Sequence, residues 1–319
     1  MTTDLADHVA QGLRQQPKAL SSMYFYDDAG SQLFQQIMGL PEYYPTRAEF
    51  SIFEEHGPAI VECLHAAEAG QEFTLVELGA GDGLKTRVLL REMLRRDLVF
   101  RYAPVDISGG ALAGLTATLR QELPALRVQA MEADYATALQ QLPDLPGTKA
   151  VLFLGSNIGN FLPAARQQFL RELAAPLGPA DRLLIGFDLR KDPRRIRAAY
   201  DDAQGVTAAF NLNLLTRLNR ELGADFDLAH WQHYTDYDPL TGAVRSYLVS
   251  TRAQTVHFAG PDLTVDFAAW EVIHTENSYK FTRPQIEALA AEAGLRVVRA
   301  FTDARADFAD VVLAPALGK

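Results

Sequence analysis

Residues 73–90, FTLVELGAGDGLKTRVLL, change character twice. Phe73 to Leu78 is a short apolar run, the pattern of a parallel strand buried on both faces. Gly79, Gly81 and Gly83 then break the run, and the residues after Leu84 carry helical periodicity. Strand, glycine turn and helix in that order open a βα unit. Its small residues let a ligand approach the backbone, and the helix start faces that ligand. The same alternation repeats outward from this unit. Strands are expected at VFRYAPVD (99–106), LRVQAMEAD (126–134), AVLFLG (150–155) and RLLIGFD (182–188), with helices such as AGLTATLRQEL (113–123) and AARQQFLRELAAPL (164–177) between them. This predicts an α/β fold with a doubly wound sheet.

The pattern changes after Asp188. A long helical region is expected from about Pro193 to Leu222. HWQHYTDYD (230–238), the turn PLTG, AVRSYLVSTRAQTVHF (243–258) and LTVDFAAWEVIHT (263–275) then read as antiparallel strands. TRPQIEALAAEAG (282–294) opens a helix with the capping-box spacing Thr282 to Gln285 and closes it at Gly294. LRVVRAFTD and FADVVLAP are expected to end the parallel sheet. The domains follow: 50–193 plus 281–319 carry the sheet, and 1–49 plus 194–280 form an inserted α+β domain. Residues 4–15 and 48–69 have helical periodicity. LPEYYPTRAE (40–49) fences Tyr43 and Tyr44 between Pro41 and Pro45 and reads as a stiff loop.

The chain has 319 residues, 48% hydrophobic and 22% charged, a globular composition. Its net charge of -10 repels phosphate backbones, which speaks against a nucleic-acid partner. No apolar run is long enough to span a membrane. The N-terminus lacks the apolar stretch of a secretory signal, and Cys63 is the only cysteine. A cytoplasmic monomer acting on a small molecule, without metal, is expected. His230 and His233, three apart on a predicted strand, face opposite sides and do not chelate together.

The glycine turn limits the ligand. Nicotinamide enzymes use G-x-G-x-x-G/A, and the sixth position here is Leu84. Glu77 before the turn gives E-x-G-x-G, the style of S-adenosylmethionine enzymes, whose ligand has no pyrophosphate. Asp106 and Asp134 stand where later strands end. A carboxylate accepts two ribose hydroxyls well, and Asp134 beside Tyr135 suits an adenine edge and face.

Five segments carry a resemblance to the histidine Nα-methyltransferases of ergothioneine biosynthesis, a family that includes a fungal prenyltryptophan N-methyltransferase. They are YFYDDAGSQLFQQIMGLPEYYPTRAE (24–49), LVELGAGDGLKTRVLL (75–90), FLGSNIGN (153–160), AAYDDAQGVTAAFNLNLLTRLNRELGADF (198–226) and TENSYKFTR (275–283). The resemblance implies a class I methyltransferase, Rossmann-like sheet with an inserted substrate-binding domain. It implies that Gly79, Gly81, Lys85, Asp106, Asp134 and Tyr135 bind S-adenosylmethionine as co-substrate. It also implies that Asn160 and Tyr200 hold the amino acid's backbone end, that Tyr43, Glu276 and Ser278 read the imidazole, and that Tyr26 lies near the reacting amine. The product would be trimethylhistidine, hercynine. The residue types fit these roles. Neutral imidazole has one donor and one acceptor nitrogen, which Glu276 and the Ser278 hydroxyl can serve from one face of a strand.

The chain departs from the family pattern at Ser246, where a larger side chain is expected beside the substrate ring, at Asn277, and at Asp82-Gly83. Two alternatives stay open: an N-methyltransferase for another aromatic amino acid or amine, tryptophan- or histamine-like, and a non-catalytic small-molecule binder of the same fold.

Overall fold

The computed structural model describes residues 2–65 and 72–316. In chain order the first elements are α1 (Thr2–Arg14), β1 (Lys18–Ala19), α2 (Asp28–Gly39), α3 (Tyr44–Leu64), β2 (Phe73–Leu78), α4 (Thr86–Arg95), β3 (Phe100–Asp106) and α5 (Gly109–Glu122). Next come β4 (Arg127–Val128), β5 (Met131–Glu132), α6 (Tyr135–Gln141), β6 (Thr148–Phe153), α7 (Pro163–Ala174), β7 (Arg182–Asp188), α8 (Pro193–Ala198) and α9 (Val206–Leu222). The last are β8 (Trp231–Asp238), β9 (Ala243–Ser250), β10 (Gln254–Phe258), β11 (Leu263–Phe267), β12 (Val272–Tyr279), α10 (Arg283–Glu292), β13 (Leu295–Thr302) and β14 (Phe308–Pro315). They divide into two compact units, Pro45–Arg190 with Lys280–Lys319, and Met1–Tyr44 with Lys191–Tyr279.

The larger unit is built on a sheet of order β13-β14-β7-β6-β2-β3-β4, with β5 also alongside β3. β2 pairs in parallel with β3 on one side and β6 on the other. The sheet therefore reverses its direction of growth beside β2, and such a reversal opens a ligand crevice at the carboxyl ends of the strands. Every residue of β2 is buried, so its sequence shows no alternation. Phe73, Leu75, Tyr102, Leu152 and Leu184 pack with Ile52 and Phe53 of α3 in one core. The final strands correct an expectation. β14 runs antiparallel between β7 and β13 instead of extending the parallel set. Its link to β13 is the turn at Asp303, whose carboxylate accepts the Asp307 and Phe308 amides at 2.7 and 2.8 Å. So short a connection permits only an antiparallel pair.

The smaller unit has a sheet of order β1-β12-β9-β8 and a separate β10–β11 hairpin. Leu5, Val9 and Leu13 of α1 share a core with Phe210, Leu214 and Leu218 of α9 and with Leu248 and Ile273 of the sheet. The helix expected over 193–222 is two helices. Asp202 ends the break between them by accepting the Val206 and Thr207 amides at 3.0 and 2.7 Å, a cap at the start of α9. The helix expected over 48–69 starts earlier, at Tyr44. Pro45 sits in its first turn, where a missing N–H costs nothing. The tyrosine pair is thus a helix entry, not a loop. Residues 66–69 of that expected helix lie outside the described residues.

Asp27 ties this unit together. Its Oδ1 accepts from the Gly30 amide at the start of α2 and from Asn213 Nδ2 of α9, both at 2.8 Å, and its Oδ2 accepts from Arg220 at 2.6 Å. Asp27→Ala is expected to cost about 2–3 kcal/mol, a lost cap plus stranded donors. Calorimetry will show a melting temperature lower by several degrees, and Asp27→Asn will retain part of the loss.

Candidate active site

The turn after β2 is held from below by β3. The Gly79 and Ala80 amides donate to the Val105 carbonyl at 2.8 and 3.0 Å, and the Gly81 amide donates to Asp106 Oδ2 at 3.0 Å. Asp106 Oδ1 accepts the Ser108 amide at 3.0 Å. Asp106 therefore fixes the turn and the start of α5 and retains lone pairs for a ligand hydroxyl. Gly79 has φ +73°, and a carbon added to it would stand 3.0 Å from the Tyr135 hydroxyl and 3.7 Å from Asn157 Nδ2. A carbon added to Gly155, after β6, would stand 3.7 Å from Lys85 Nζ and 3.8 Å from Asn157 Nδ2. Two bare backbone positions thus face one polar group set at the carboxyl ends of β2 and β6. That is a cradle suited to a small polar ligand.

Asp134 caps α6, its Oδ1 accepting the Thr137 amide at 2.7 Å, and that bond holds its carboxyl below the usual range. The Tyr135 ring meets Phe153 edge-on at 5.3 Å and Phe169 at 5.7 Å. Burial, with the Asp106 charge second, pushes its hydroxyl up to about 12, so it stays a neutral donor. Asn160 lies exposed at the end of a 3₁₀ turn, Asn157–Asn160. This turn begins at Ser156 in a left-handed conformation, φ 59°, and the Asp188 amide donates to Ser156 Oγ at 2.9 Å.

Under the cradle lies a buried cluster of charge. Glu49 of α3 is fully buried; its Oε1 accepts the Gly155 amide at 2.8 Å and its Oε2 pairs with Lys85 Nζ. Burial alone would lower the Lys85 ammonium, but the charge of Glu49 and the bond to it reverse this and raise it. Asp310, fully buried and opposite Gly186 in the β14–β7 register, is pushed far up by burial and by the Glu49 charge. Glu77 accepts from Thr86 Oγ1 at 2.7 Å and from the Tyr102 hydroxyl. Burial nonetheless pushes it up to about 7. Glu49, Asn157 and Ser156 escaped sequence reasoning. Glu49 lay within a quoted motif, but an acid on a helical pattern reads as solvent-facing.

The remaining expected residues meet in the smaller unit. β12 carries one extra residue between its pairs His274↔Tyr247 and Glu276↔Ser246. Cross-strand partners share a face, so Glu276, Ser246 and Thr235 form one row and Ser278, Val244 and Tyr237 the next. Ser246 and Ser278 are buried. The Tyr200 hydroxyl shares a hydrogen bond with Ser278 Oγ at 2.8 Å, and Thr235 Oγ1 donates to the Tyr200 carbonyl at 3.1 Å. Rings continue outward from there: Tyr43 to Tyr200 at 6.3 Å, Phe34 to Tyr43 at 6.1 Å and Tyr26 to Phe34 at 5.6 Å. Tyr26 is the exposed end of the string. Among the described residues no group of three potential metal ligands occurs, and no helix is long and apolar enough to cross a membrane.

Glu77 gives the protein a pH signature. In the unfolded chain it titrates near 4.5, so between roughly pH 4.5 and 7 the folded state holds the extra proton. Stability contributed by this site is complete below that interval and is lost as pH rises through it, by about 3 kcal/mol at most. Glu77→Gln removes the charge to be buried. Relative to the variant, the wild-type melting temperature will fall from pH 5 to pH 8; parallel curves would exclude Glu77 as the cause.

The model of a family described as histidine-specific, S-adenosylmethionine-dependent methyltransferases matches residues 5–315. A histidine N-alpha-methyltransferase of Mycolicibacterium smegmatis is 45% identical over 300 residues, 94% of this chain and 91% of that one. The protein of the same name from Mycobacterium tuberculosis is 41% identical over the same shares. Ergothioneine biosynthesis protein 1 of Schizosaccharomyces pombe is 29% identical across 92% of this chain and 38% of its own length. The chain belongs to the histidine-specific methyltransferase family and is an S-adenosylmethionine-dependent enzyme.

Proposed function

We propose that this enzyme methylates the α-amine of L-histidine, three times, to give Nα,Nα,Nα-trimethylhistidine, hercynine. The observation that carries this reading is the placement of Glu276 and Ser278 in neighbouring rows of one sheet face, with the Tyr200 hydroxyl 2.8 Å from Ser278 Oγ. A carboxylate and a hydroxyl two residues apart on one face suit the two imidazole nitrogens, one donating and one accepting. The two mycobacterial relatives named for histidine support it.

In this reading the larger unit takes the methyl donor and the smaller unit holds the amino acid. Gly79 and Gly81 let the donor approach the backbone. Asp106 accepts its ribose hydroxyls, and Asp134 and Tyr135 take the adenine. Lys85, paired with Glu49, is likewise assigned to the donor. Bound S-adenosylmethionine supplies an activated methyl on a sulfonium, and transfer is an in-line displacement by the neutral amine. A free α-amine is mostly protonated at pH 7, so each cycle must shed a proton. Tyr26 is the candidate to relay it. Tyr200 is assigned to the amino acid's backbone end and Tyr43 to its ring. The string Tyr26–Phe34–Tyr43–Tyr200 offers ring faces to an increasingly methylated ammonium, which bare hydrophobic side chains would not favour. Positioning of this kind can supply about 7–11 kcal/mol of the barrier reduction.

One observation favours a second reading. Ser246, buried and small, stands directly opposite Glu276, and a short side chain at that place suits a ring larger than imidazole. Incubation with S-adenosylmethionine and free histidine, tryptophan or histamine, read by mass spectrometry, decides between them. Three added methyl groups are expected on histidine; methylation of tryptophan or histamine with histidine untouched would refute the proposal. Glu276→Ala should raise the histidine KM by roughly tenfold or more while the S-adenosylmethionine KM stays within about twofold. Gly79→Ala should do the reverse. The left-handed backbone and the Tyr135 hydroxyl both oppose a methyl group there, so calorimetry should show S-adenosylmethionine binding weaker by roughly 5- to 30-fold.

A further inference from the structure

Strand alternation alone would turn Glu276 away from α9. Ile273 of β12 packs in the core beneath α9, so an uninterrupted strand would point Ile273 and Thr275 inward and His274 and Glu276 outward. The register shift changes this. Two residues of β12, Thr275 and Glu276, occupy the length that one residue of β9 spans, and both end on the inner side. A bulge of this kind re-aims a side chain.

The extra residue is gripped from two sides. Thr275 is buried, and its hydroxyl proton is shared between the Ser246 carbonyl at 3.0 Å and Asn211 Oδ1 at 3.1 Å. Asn211, on α9 and equally buried, donates through Nδ2 to the Thr207 carbonyl at 3.1 Å. That carbonyl can only accept, which fixes the amide orientation and leaves Oδ1 for Thr275. Thr207 stands in the first turn of α9, capped by Asp202. A chain of bonds therefore runs from the start of the helix to the misfit in the strand. Burying an amide and a hydroxyl under a helix costs more than burying two aliphatic groups of the same size, so filling space does not explain the pair.

We propose that Thr275 and Asn211 are positioning residues that set specificity by holding the bulge and so aiming Glu276 at the substrate. The inference rests on the reading of Glu276 given above. It also makes α9 a determinant of substrate choice without its touching substrate.

The test is a double-mutant cycle by steady-state kinetics on the intact protein, with histidine and S-adenosylmethionine varied in turn. Thr275→Val keeps the shape and removes the hydroxyl. It should raise the histidine KM by roughly tenfold and leave the S-adenosylmethionine KM within about twofold, because a carboxylate misplaced by a fraction of an ångström loses its bond. Thr275→Ser restores the hydroxyl and should return the histidine KM to near wild type. In a Glu276→Ala background, Thr275→Val should add less than about twofold. Asn211→Ala should move the histidine KM in the same direction and supports the cycle if Thr275→Val fails to fold. An unchanged histidine KM in Thr275→Val, or a full tenfold effect persisting without Glu276, overturns the inference. If Glu276→Ala alone leaves the histidine KM unchanged, the reading of Glu276 fails first, and the inference falls with it.

Discussion

A carboxylate withdrawn from water demands partners, and the larger unit is organised around the demand made by Glu49. The side chain projects from α3 and is satisfied by the Gly155 amide after β6 and by Lys85 at the start of α4. Space for it exists because β7 has Gly186 below it, where an added carbon would stand 2.4 Å from Oε1. Asp310, opposite Gly186 across the strand pair, has its carboxyl pushed well up by burial and by the Glu49 charge. One charge thus fixes a helix, a loop after one strand and the helix after another. A buried pair of this kind is weak evidence for stability. Its consequence is geometric, since the loops it anchors are those whose bare glycines form the cradle.

The smaller unit solves a different problem with neutral groups. Its sheet carries a carboxylate and hydroxyls on a face that elsewhere packs a hydrophobic core. Val244, Leu248 and Ile273 belong to cores on that face, while Ser246, Ser278 and Thr235 are buried in the same rows. The hydroxyls are small enough to bond to backbone and to one another, as Thr235 does with the Tyr200 carbonyl and Ser278 with its hydroxyl. Only Glu276 needed an irregularity to arrive there.

Much of this was legible in the residues, for identifiable reasons. β2 could be read because a strand buried on both faces is mostly apolar, and the glycines after it because a left-handed turn tolerates little else. The capping box of Thr282 and Gln285 is local and is present as spaced. What was not legible depends on contacts distant in sequence. Glu49 and Lys85 are 36 positions apart, and neither alone announces a buried pair. The direction of β14 followed from a turn too short to cross the sheet. Period-two alternation put Glu276 and Ser278 on a common face, but the face itself was decided by an extra residue that no alternating pattern reveals.

The discontinuity of the smaller unit bears on how the protein is made. Lys18 of β1 pairs with Glu271, and β1 joins the sheet beside β12, so its first strand and its last are separated by 253 positions. At about 5–20 residues per second, synthesis of the intervening chain takes roughly 13–50 s. For most of that interval the apolar faces of α1 and α2 have been made but not α9 and the strands that share their core. The larger unit's parallel sheet assembles meanwhile, from segments that emerge first. The smaller unit's sheet therefore reaches its full set of strands only after β12 has been made.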